Sequence, residues 1–266
     1  ISRYNRYFVW SELMKSELCL LYPEIKDDNV KVVGTPQFEF YFNDKLFRSK
    51  EDFFTKYGLN PNKKTICFSA NDSSSPYEQN YLEDLGSELS KIDKDIRPQV
   101  LFRRCPVDKS NRFDEVLIKY KSFIFSIDPD WRHGSDNNNS FSTTYPSYND
   151  LQLLVNTIRH CDAVINFGST MAHDFAVFQK PCLYLNYNPI ENSVYKVENV
   201  YKFQHFKSLS KLDAVGWINR KNEIIGKVKQ VIETPNEVGK DKKVWMEKIV
   251  KYPLQDCSEN LAKYIS

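Results

Sequence analysis

No stretch of this sequence reaches the roughly 20 apolar residues that a bilayer-crossing helix needs, so no transmembrane helix is expected. An excess of charge of one sign is missing too. The 37 basic and 35 acidic residues nearly cancel to +2, which argues against a dedicated nucleic-acid binder. The six cysteines include no C-x-x-C pair, and no His/Cys cluster has zinc-ligand spacing. Cys67, Cys161 and Cys182 fall within or beside expected strands, while Cys19, Cys105 and Cys257 are scattered, so buried free thiols in a reducing compartment are expected. Internal repeats and coiled-coil heptads are absent, and no secretory signal peptide is visible. Ile1 is not a natural start residue, which leaves room for chain ahead of it.

What is present is an ordinary globular composition. Hydrophobic residues make up 41% and aromatics 14%, enough to bury a core across 266 residues, in one large domain or two small ones. After residue 60 apolar runs alternate with helical periodicity. Thr65-Ile66-Cys67-Phe68, Val100-Leu101-Phe102 and Phe123-Ile124-Phe125 read as buried strands. Between them, Tyr77–Leu89 carries Tyr81, Leu82, Leu85 and Leu89 at helical spacing, and a second helical stretch covers Phe113–Tyr120. This alternation indicates an α/β fold with a doubly wound, parallel, Rossmann-like sheet. Ahead of it, Tyr7–Trp10 and Val30–Val33 read as strands, and Ser11–Tyr22 and Lys50–Tyr57 as helices, the former with Leu13, Leu18 and Leu21. Asn219–Ile232 is an amphipathic helix, and helical pieces follow near Val244 and Leu261.

The richest stretch runs from Asp150 to Tyr187. Leu151, Leu154, Val155 and Ile158 form an apolar helical stripe, with Ser147 and Asp150 as a capping pair at its start. Ala163-Val164-Ile165 reads as a strand covered on both faces, and Pro181 ends a short helix before Cys182-Leu183-Tyr184-Leu185 returns to the sheet. Between the strands, Gly168-Ser169-Thr170 opens the helix. First-turn N–H groups beside two hydroxyls suit a phosphate or diphosphate, although the same tripeptide also serves as a plain cap.

Ligands of such sheets bind outside the carboxyl ends of the strands, which here carry four polar segments. The first is Ser69-Ala70-Asn71-Asp72-Ser73-Ser74-Ser75-Pro76, and the second Arg103-Arg104-Cys105-Pro106-Val107-Asp108. The third is Asp128-Pro129-Asp130-Trp131-Arg132-His133-Gly134, and the fourth Asn166 to Thr170. An arginine pair and a hydroxyl-bearing helix start suit an anionic ligand. Residues 135–145 read as a tolerated polar surface insertion, with a flap over the donor site as the alternative.

These segments resemble the nucleotide-binding half of the GT-B glycosyltransferases, in particular bacterial surface-polysaccharide transferases and their CDP-glycerol glycerophosphotransferase relatives. FVWSELMKSELCLLYP followed by VKVVGTPQFEFY is similar to the hinge between two lobes. VLFRRCPVD is similar to an Arg-x-His-Pro-x-Asp strand end, with Cys105 in place of the His. CDAVINFGSTMAHDFAVFQKPCLYLNY resembles the nucleotide-sugar loop, and PSYNDLQLL the segment that precedes it and lies near the base. The resemblance implies three parts: residues 1–35 closing an N-terminal lobe and forming the hinge, residues 36–235 as the donor-binding lobe, and residues 236–266 as helices returning toward the first lobe.

By the same resemblance, Asn166, Gly168, Ser169 and Thr170 hold a donor diphosphate, Arg104 neutralises a phosphate and Asp174 faces the ribose. Ser69, Asn71, Asp72, Arg103 and Trp131 are further donor-loop candidates. His173 and His133 are candidates for catalysis, with a capped surface histidine as the plain alternative for His173. Asp128-Pro129-Asp130 is the only nominal Asp-x-Asp at an expected strand end, and it sits beside a Pro turn; in keeping with the GT-B pattern, no metal or other obligatory cofactor is expected. The implied function is transfer of a sugar from a UDP-, CDP- or GDP-linked donor to a surface glycan or lipid-linked acceptor. Transfer of glycerol or ribitol phosphate from a CDP-alditol, a UDP-N-acetylglucosamine 2-epimerase-like lobe and a non-catalytic nucleotide-sugar-binding module are the alternatives. The acceptor half of the cleft is expected to lie in a lobe outside this chain. The expected location is the cytoplasm, with Lys202–Lys211 and Lys240–Lys251 as solvated helix faces or as a contact to the inner membrane face.

Overall fold

The computed structural model describes residues 5–72, 75–133, 144–191 and 196–265. β1 (Tyr7–Val9) and β2 (Val30–Val32) pair in parallel through the crossover helix α1 (Glu12–Leu21). Ser11 caps α1 by accepting from the Met14 N–H at 3.3 Å. None of its residues is buried, and Leu21, one of the three leucines of the expected apolar face, is 66% exposed. Pro36–Phe42 is a 3₁₀ helix started by Pro36, whose fixed φ suits a first helical position; it buries Phe38 and Tyr41. α2 (Lys50–Lys56) follows, capped by Ser49 and burying Phe53 and Phe54.

The main sheet then builds in βαβ steps: β3 (Thr65–Ser69), α3 (Glu78–Leu89), β4 (Gln99–Arg103), α4 (Asp114–Lys119) and β5 (Ile124–Ile127). All four apolar residues singled out in α3 are buried. The polar connection after β5 contains an antiparallel pair, β6 (Trp131–His133) and β7 (Thr144–Pro146). Most of the expected surface insertion, residues 135–143, lies outside the described residues, as do Ser73, Ser74 and Gly134.

α5 (Tyr148–His160), β8 (Ala163–Asn166), α6 (Met171–Val177) and β9 (Cys182–Leu185) follow as the sequence indicates. Ser147 caps α5 by accepting from the Asp150 N–H at 3.2 Å. The apolar stripe of α5 divides between two environments. Val155 and Ile158 are buried with Leu153, whereas Leu151 and Leu154 line an open cavity. α7 (Val197–Val200) leads to β10 (Gly216–Ile218), and α8 (Ile224–Glu233), α9 (Lys242–Ile249) and α10 (Cys257–Ile265) close the chain.

The six strands run parallel in the order β10-β9-β8-β3-β4-β5. Read from β5, this is the 3-2-1-4-5-6 order of a doubly wound sheet, reversing between β3 and β8. Every residue of β3, β4, β8 and β9 is buried, as helices on both faces require. The sixth strand, β10, was not legible in the sequence, because close packing selects a glycine there. A Cβ on Gly216 would lie 2.5 Å from Leu183 Cδ2 and 2.8 Å from Val238 Cγ1.

The tail packs against the first forty residues. Lys251 donates its N–H to Trp10 O and its amine to Val32 O, both at 2.9 Å. Ser258 bonds Glu39, and the Cys257 thiol abuts Gly34, where a Cβ would come within 2.4 Å of the sulfur.

Candidate functional site

The strand order reverses between β3 and β8, so a crevice opens outside their carboxyl ends, where doubly wound sheets bind ligands. Ser69 ends β3 opposite Asn166 of β8. Two residues on, Asn71 crosses the gap and donates from Nδ2 to Phe167 O at 2.6 Å. Gly168 follows at φ +66°, where a Cβ would stand 2.8 Å from Phe206 Cζ, so both conformation and packing select glycine.

The helix start differs from the sequence expectation. Asn166 is fully buried and uses its side-chain oxygen to accept from the Ser169 N–H at 2.9 Å, which makes it a brace for the turn. The first-turn N–H groups of α6 are not free: Met171 donates to Ser169 Oγ, Ala172 to Ser169 O, and His173 to Thr170 O. The helix has only seven residues. Thr170 is exposed and accepts no capping bond, so its hydroxyl remains available.

His173 and Asp174, next along α6, occupy contrasting places. His173 is not a surface residue: it is 7% exposed, and its ring centroid lies 4.2 Å from that of Trp245. Burial, with a smaller contribution from His205, pushes its pKa down to about 4, so the imidazole is neutral at physiological pH. Its Nδ1 is buried without a hydrogen-bond partner. The ring lines a cavity of about 300 Å³ walled by Trp10, Phe38, Tyr184, Phe206 and Trp245, with Gly168, Thr170 and Asp174 in its lining. A hydrogen bond from Gln204 to Glu17, at 2.8 Å, joins two residues of that lining.

Asp174 accepts the Tyr41 hydroxyl at 2.6 Å. Burial lifts its pKa to about 6, against the opposing pull of the Tyr41 bond and the Arg103 charge. It also lines a second cavity, of about 310 Å³, with Gln37, Tyr41, Arg103, Trp131 and Asp150. Gln37 and Asp174 are common to both linings. In the second cavity Arg103 sets Nη2 against both oxygens of Asp150, at 3.0 and 2.9 Å. The Trp131 indole and the Asp130 N–H donate to the same carboxylate, at 2.6 and 3.0 Å. The Asp150 side chain is thus the anchor of a buried cluster and not only the first turn of a capped helix.

The structure does not bring Arg104 to this place. Its guanidinium donates to Ser110 O at 2.5 Å and pairs with Asp114 and Asp128, in a depression shared with Cys105 and Asp108. Arg112, which no sequence pattern brought forward, is the arginine that braces the β3 loop. It bonds the carbonyls of Asn71, Asp72 and Ser75 and the Asp108 carboxylate. Beside it, fully buried Glu78 accepts from the Asn71 N–H at 2.7 Å, and burial raises its pKa to about 8. The Asp108/Arg112 spacing of four residues was the available signal. His133 sits on β6, but its side chain lies outside the described residues.

Most lysines of 202–211 and 240–251 are exposed, as expected of solvated faces, and Lys242 is the buried exception among them. Lys242 donates to Val238 O and Gly239 O, and Lys248 to Ser208 O. No helix among the described residues is long and apolar enough to cross a membrane, and no His/Cys/Asp/Glu group among them is set to hold a metal.

No known family profile and no curated protein sequence matches the chain. Solved structures do. The wall teichoic acid polymerase TagF aligns with a TM-score of 0.63 at 13% identity, over 99% of this chain and 58% of its own. UDP-GlcNAc 2-epimerase from Neisseria meningitidis, bound to UDP-GlcNAc, aligns with a TM-score of 0.57 at 13% identity, over 98% and 61%. MnaA from S. aureus, in complex with UDP, aligns at 0.59 and 16% identity, over 98% and 60%. The chain therefore spans about three fifths of the length of these structures. At such identities the likeness carries the fold alone, and function has to be argued from the site. The chain is an α/β protein with a six-stranded parallel, Rossmann-like sheet and the fold of the GT-B proteins.

Proposed function

We propose that this chain is the C-terminal, donor-binding lobe of a GT-B glycosyltransferase that moves a sugar from a nucleotide-diphosphate donor to a surface glycan or lipid-linked acceptor. The observation that carries the reading is the meeting of two cavities at Asp174, beside the reversal of strand order. A donor lying across Asp174 has its diphosphate beside Gly168, Ser169 and Thr170. Transfer exchanges the bond between the anomeric carbon and the diphosphate oxygen for one to an acceptor hydroxyl oxygen, and on this reading the Thr170 hydroxyl, with Ser169 beside it, meets the charge that develops on the departing diphosphate. His173, neutral and buried, serves as a hydrogen-bonding group and not as a base. Asp174, held near 6, is better matched to proton exchange near neutral pH, or to ribose hydroxyls in its ionised form. The acceptor and the group that activates it belong, on this reading, to a lobe beyond this chain. Location in the cytoplasm and the absence of an obligatory metal remain part of the proposal.

A second reading is favoured by the likeness to TagF, a wall teichoic acid polymerase that has been soaked with CDPG. Here the same cavities hold a CDP-alditol, and an alditol phosphate is transferred. Calorimetric titration with UDP, CDP and GDP against their monophosphates tests the shared core of both readings. Diphosphate-dependent binding that weakens about tenfold in a Ser169→Ala/Thr170→Ala double variant is the expected result. Unchanged affinity in the folded double variant removes the diphosphate assignment. Selectivity for CDP moves the balance to the second reading. Selective binding with no turnover, once an acceptor lobe is supplied, marks a non-catalytic module.

A further inference from the structure

The loop after β3 reaches the β8–α6 turn through Asn71, whose Nδ2 donates to Phe167 O at 2.6 Å, one residue ahead of Gly168. Whatever fixes Asn71 therefore fixes the entry to that turn. Arg112 Nη2 donates to Asn71 O at 3.0 Å and to Asp72 O at 3.1 Å, and Glu78 Oε2 accepts the Asn71 N–H at 2.7 Å.

The charges of this cluster do not balance if every acid is ionised. Glu78 opens α3 and is fully buried. Asp72 acts on it from the loop, and Asp108 and Arg112 from the β4–α4 connection, where Cys105 also lies. Asp108 holds the guanidinium, with Arg112 Nε at 2.8 Å and Nη2 at 2.7 Å from its Oδ2. Glu78 stands 3.6 Å from Nη2, beyond hydrogen-bonding distance, and its Oε1 is buried without a partner. A buried ionised carboxylate needs donors or a cation on both oxygens; one N–H on one oxygen suits an uncharged acid. Burial raises the Glu78 pKa to about 8, against the Asn71 bond and the Arg112 charge and with smaller help from Asp108 and Asp72. The Cys105 thiol is pushed up as well, by burial first, so it stays uncharged where Glu78 titrates.

We propose that Glu78 is a positioning residue for the β8–α6 turn: uncharged, it leaves Arg112 to hold the carbonyls of the β3 loop, and ionised, it draws the guanidinium away and releases Asn71 from Phe167. The step is a competition for one nitrogen. The N–H pair on Nη2 already meets Asn71 O, Asp72 O and Asp108 Oδ2, so a charged Glu78 gains a bond only at the expense of a carbonyl. Once a carbonyl is lost the loop moves, and the turn loses the bond from Asn71. The consequence for a nucleotide rests on the donor reading above, whereas the coupling of loop to turn does not.

Hydrogen exchange of the ligand-free chain at pH about 7 and about 9 tests the coupling, with wild type and Glu78→Gln compared at each pH so that intrinsic exchange cancels. The glutamine keeps an oxygen for the Asn71 N–H and cannot ionise. Residues 167–170 of the wild type should lose, at the higher pH, protection that the variant keeps. Asn71→Ala removes the link itself and decides the matter if the glutamine variant does not fold: the wild-type turn should be the better protected at pH about 7 and approach this variant at about 9. Affinity for UDP, CDP or GDP is read in parallel, each protein referred to its own value at pH about 7, so that titration of the nucleotide cancels. By pH about 9 the wild type should lose about tenfold more than Glu78→Gln, the fall in the uncharged fraction of a group titrating near 8. Equal protection of residues 167–170 in wild type and folded Glu78→Gln at pH about 9 overturns the positioning role. So does a wild-type turn that differs from Asn71→Ala as much at the higher pH as at the lower. Binding of none of the three nucleotides at pH about 7 removes the donor reading, and the exchange result still decides the positioning role.

Discussion

Replacing His173 by Gln should make the protein's stability respond to acid in a defined direction. His173 is buried against Trp245, and its pKa falls from 6.5 to about 4 on folding. The unfolded chain therefore takes up a proton below pH about 6.5 that the folded chain refuses until about pH 4. Within that window folding loses stability as pH falls, by about 1.4 kcal/mol per unit, to a total of about 3 kcal/mol. Asp174 acts in the opposite sense. Its pKa rises from 3.8 to about 6 on folding, so its contribution is fully present below 3.8 and lost as pH rises through 6. That term is also about 3 kcal/mol, and the two neighbours largely cancel in the wild-type profile.

Gln at position 173 removes one side of the balance. Urea denaturation of both proteins at pH about 7.5 and about 4 reads the effect. At the higher pH the variant is the less stable, having lost the ring contact with Trp245. On going to pH 4 the difference should move in the variant's favour by about 3 kcal/mol, seen as a shift in midpoint at constant m-value. A difference that changes by less than about 1 kcal/mol would mean that His173 is not held neutral by burial.

Asp150→Ala strands Arg103 inside the protein, and the expected loss is about 3–5 kcal/mol by denaturant titration; a loss under about 1 kcal/mol contradicts a buried, coupled pair. Gly168→Ala places a Cβ at φ +66° within 2.8 Å of Phe206, so a loss of about 1–3 kcal/mol is expected, together with weakened nucleotide binding. Arg104→Gln removes an ion pair outside both cavities and should leave nucleotide affinity within about threefold, since such partly exposed pairs contribute about 0–1 kcal/mol. A tenfold loss of diphosphate affinity in that variant would restore Arg104 to the site.

The sheet was legible wherever a strand is covered on both faces. Ile66-Cys67-Phe68 and Ala163-Val164-Ile165 are continuous apolar runs because no side of them meets water. β10 was not, since Gly216 replaces the apolar residue that its crowded position would otherwise show. The Gly168–Thr170 turn was visible through its residue types. Its hydrogen-bond state was not, because whether Ser169 caps its own helix depends on a rotamer. Arginine roles were the least readable. Arg103 and Arg104 are adjacent, but β4 ends at Arg103, so one is fixed by the sheet and the other turns away with the loop, and residue type alone does not say where the strand stops. Arg112 was missed because three of its partners, the carbonyls of Asn71, Asp72 and Ser75, are backbone atoms that leave no trace in residue identity, and the spacing of four to Asp108 alone does not set it apart from an ordinary surface pair.

Hydrogen exchange of the chain with and without UDP, CDP or GDP tests whether a nucleotide binds beside Asp174, because it locates the ligand and detects it at once. Slowed exchange in the β8–α6 turn, residues 166–174, and at Trp131 is expected with at least one of the three nucleotides. Unchanged exchange with all three, or protection confined to the depression around Arg104 and Asp114, would contradict binding there.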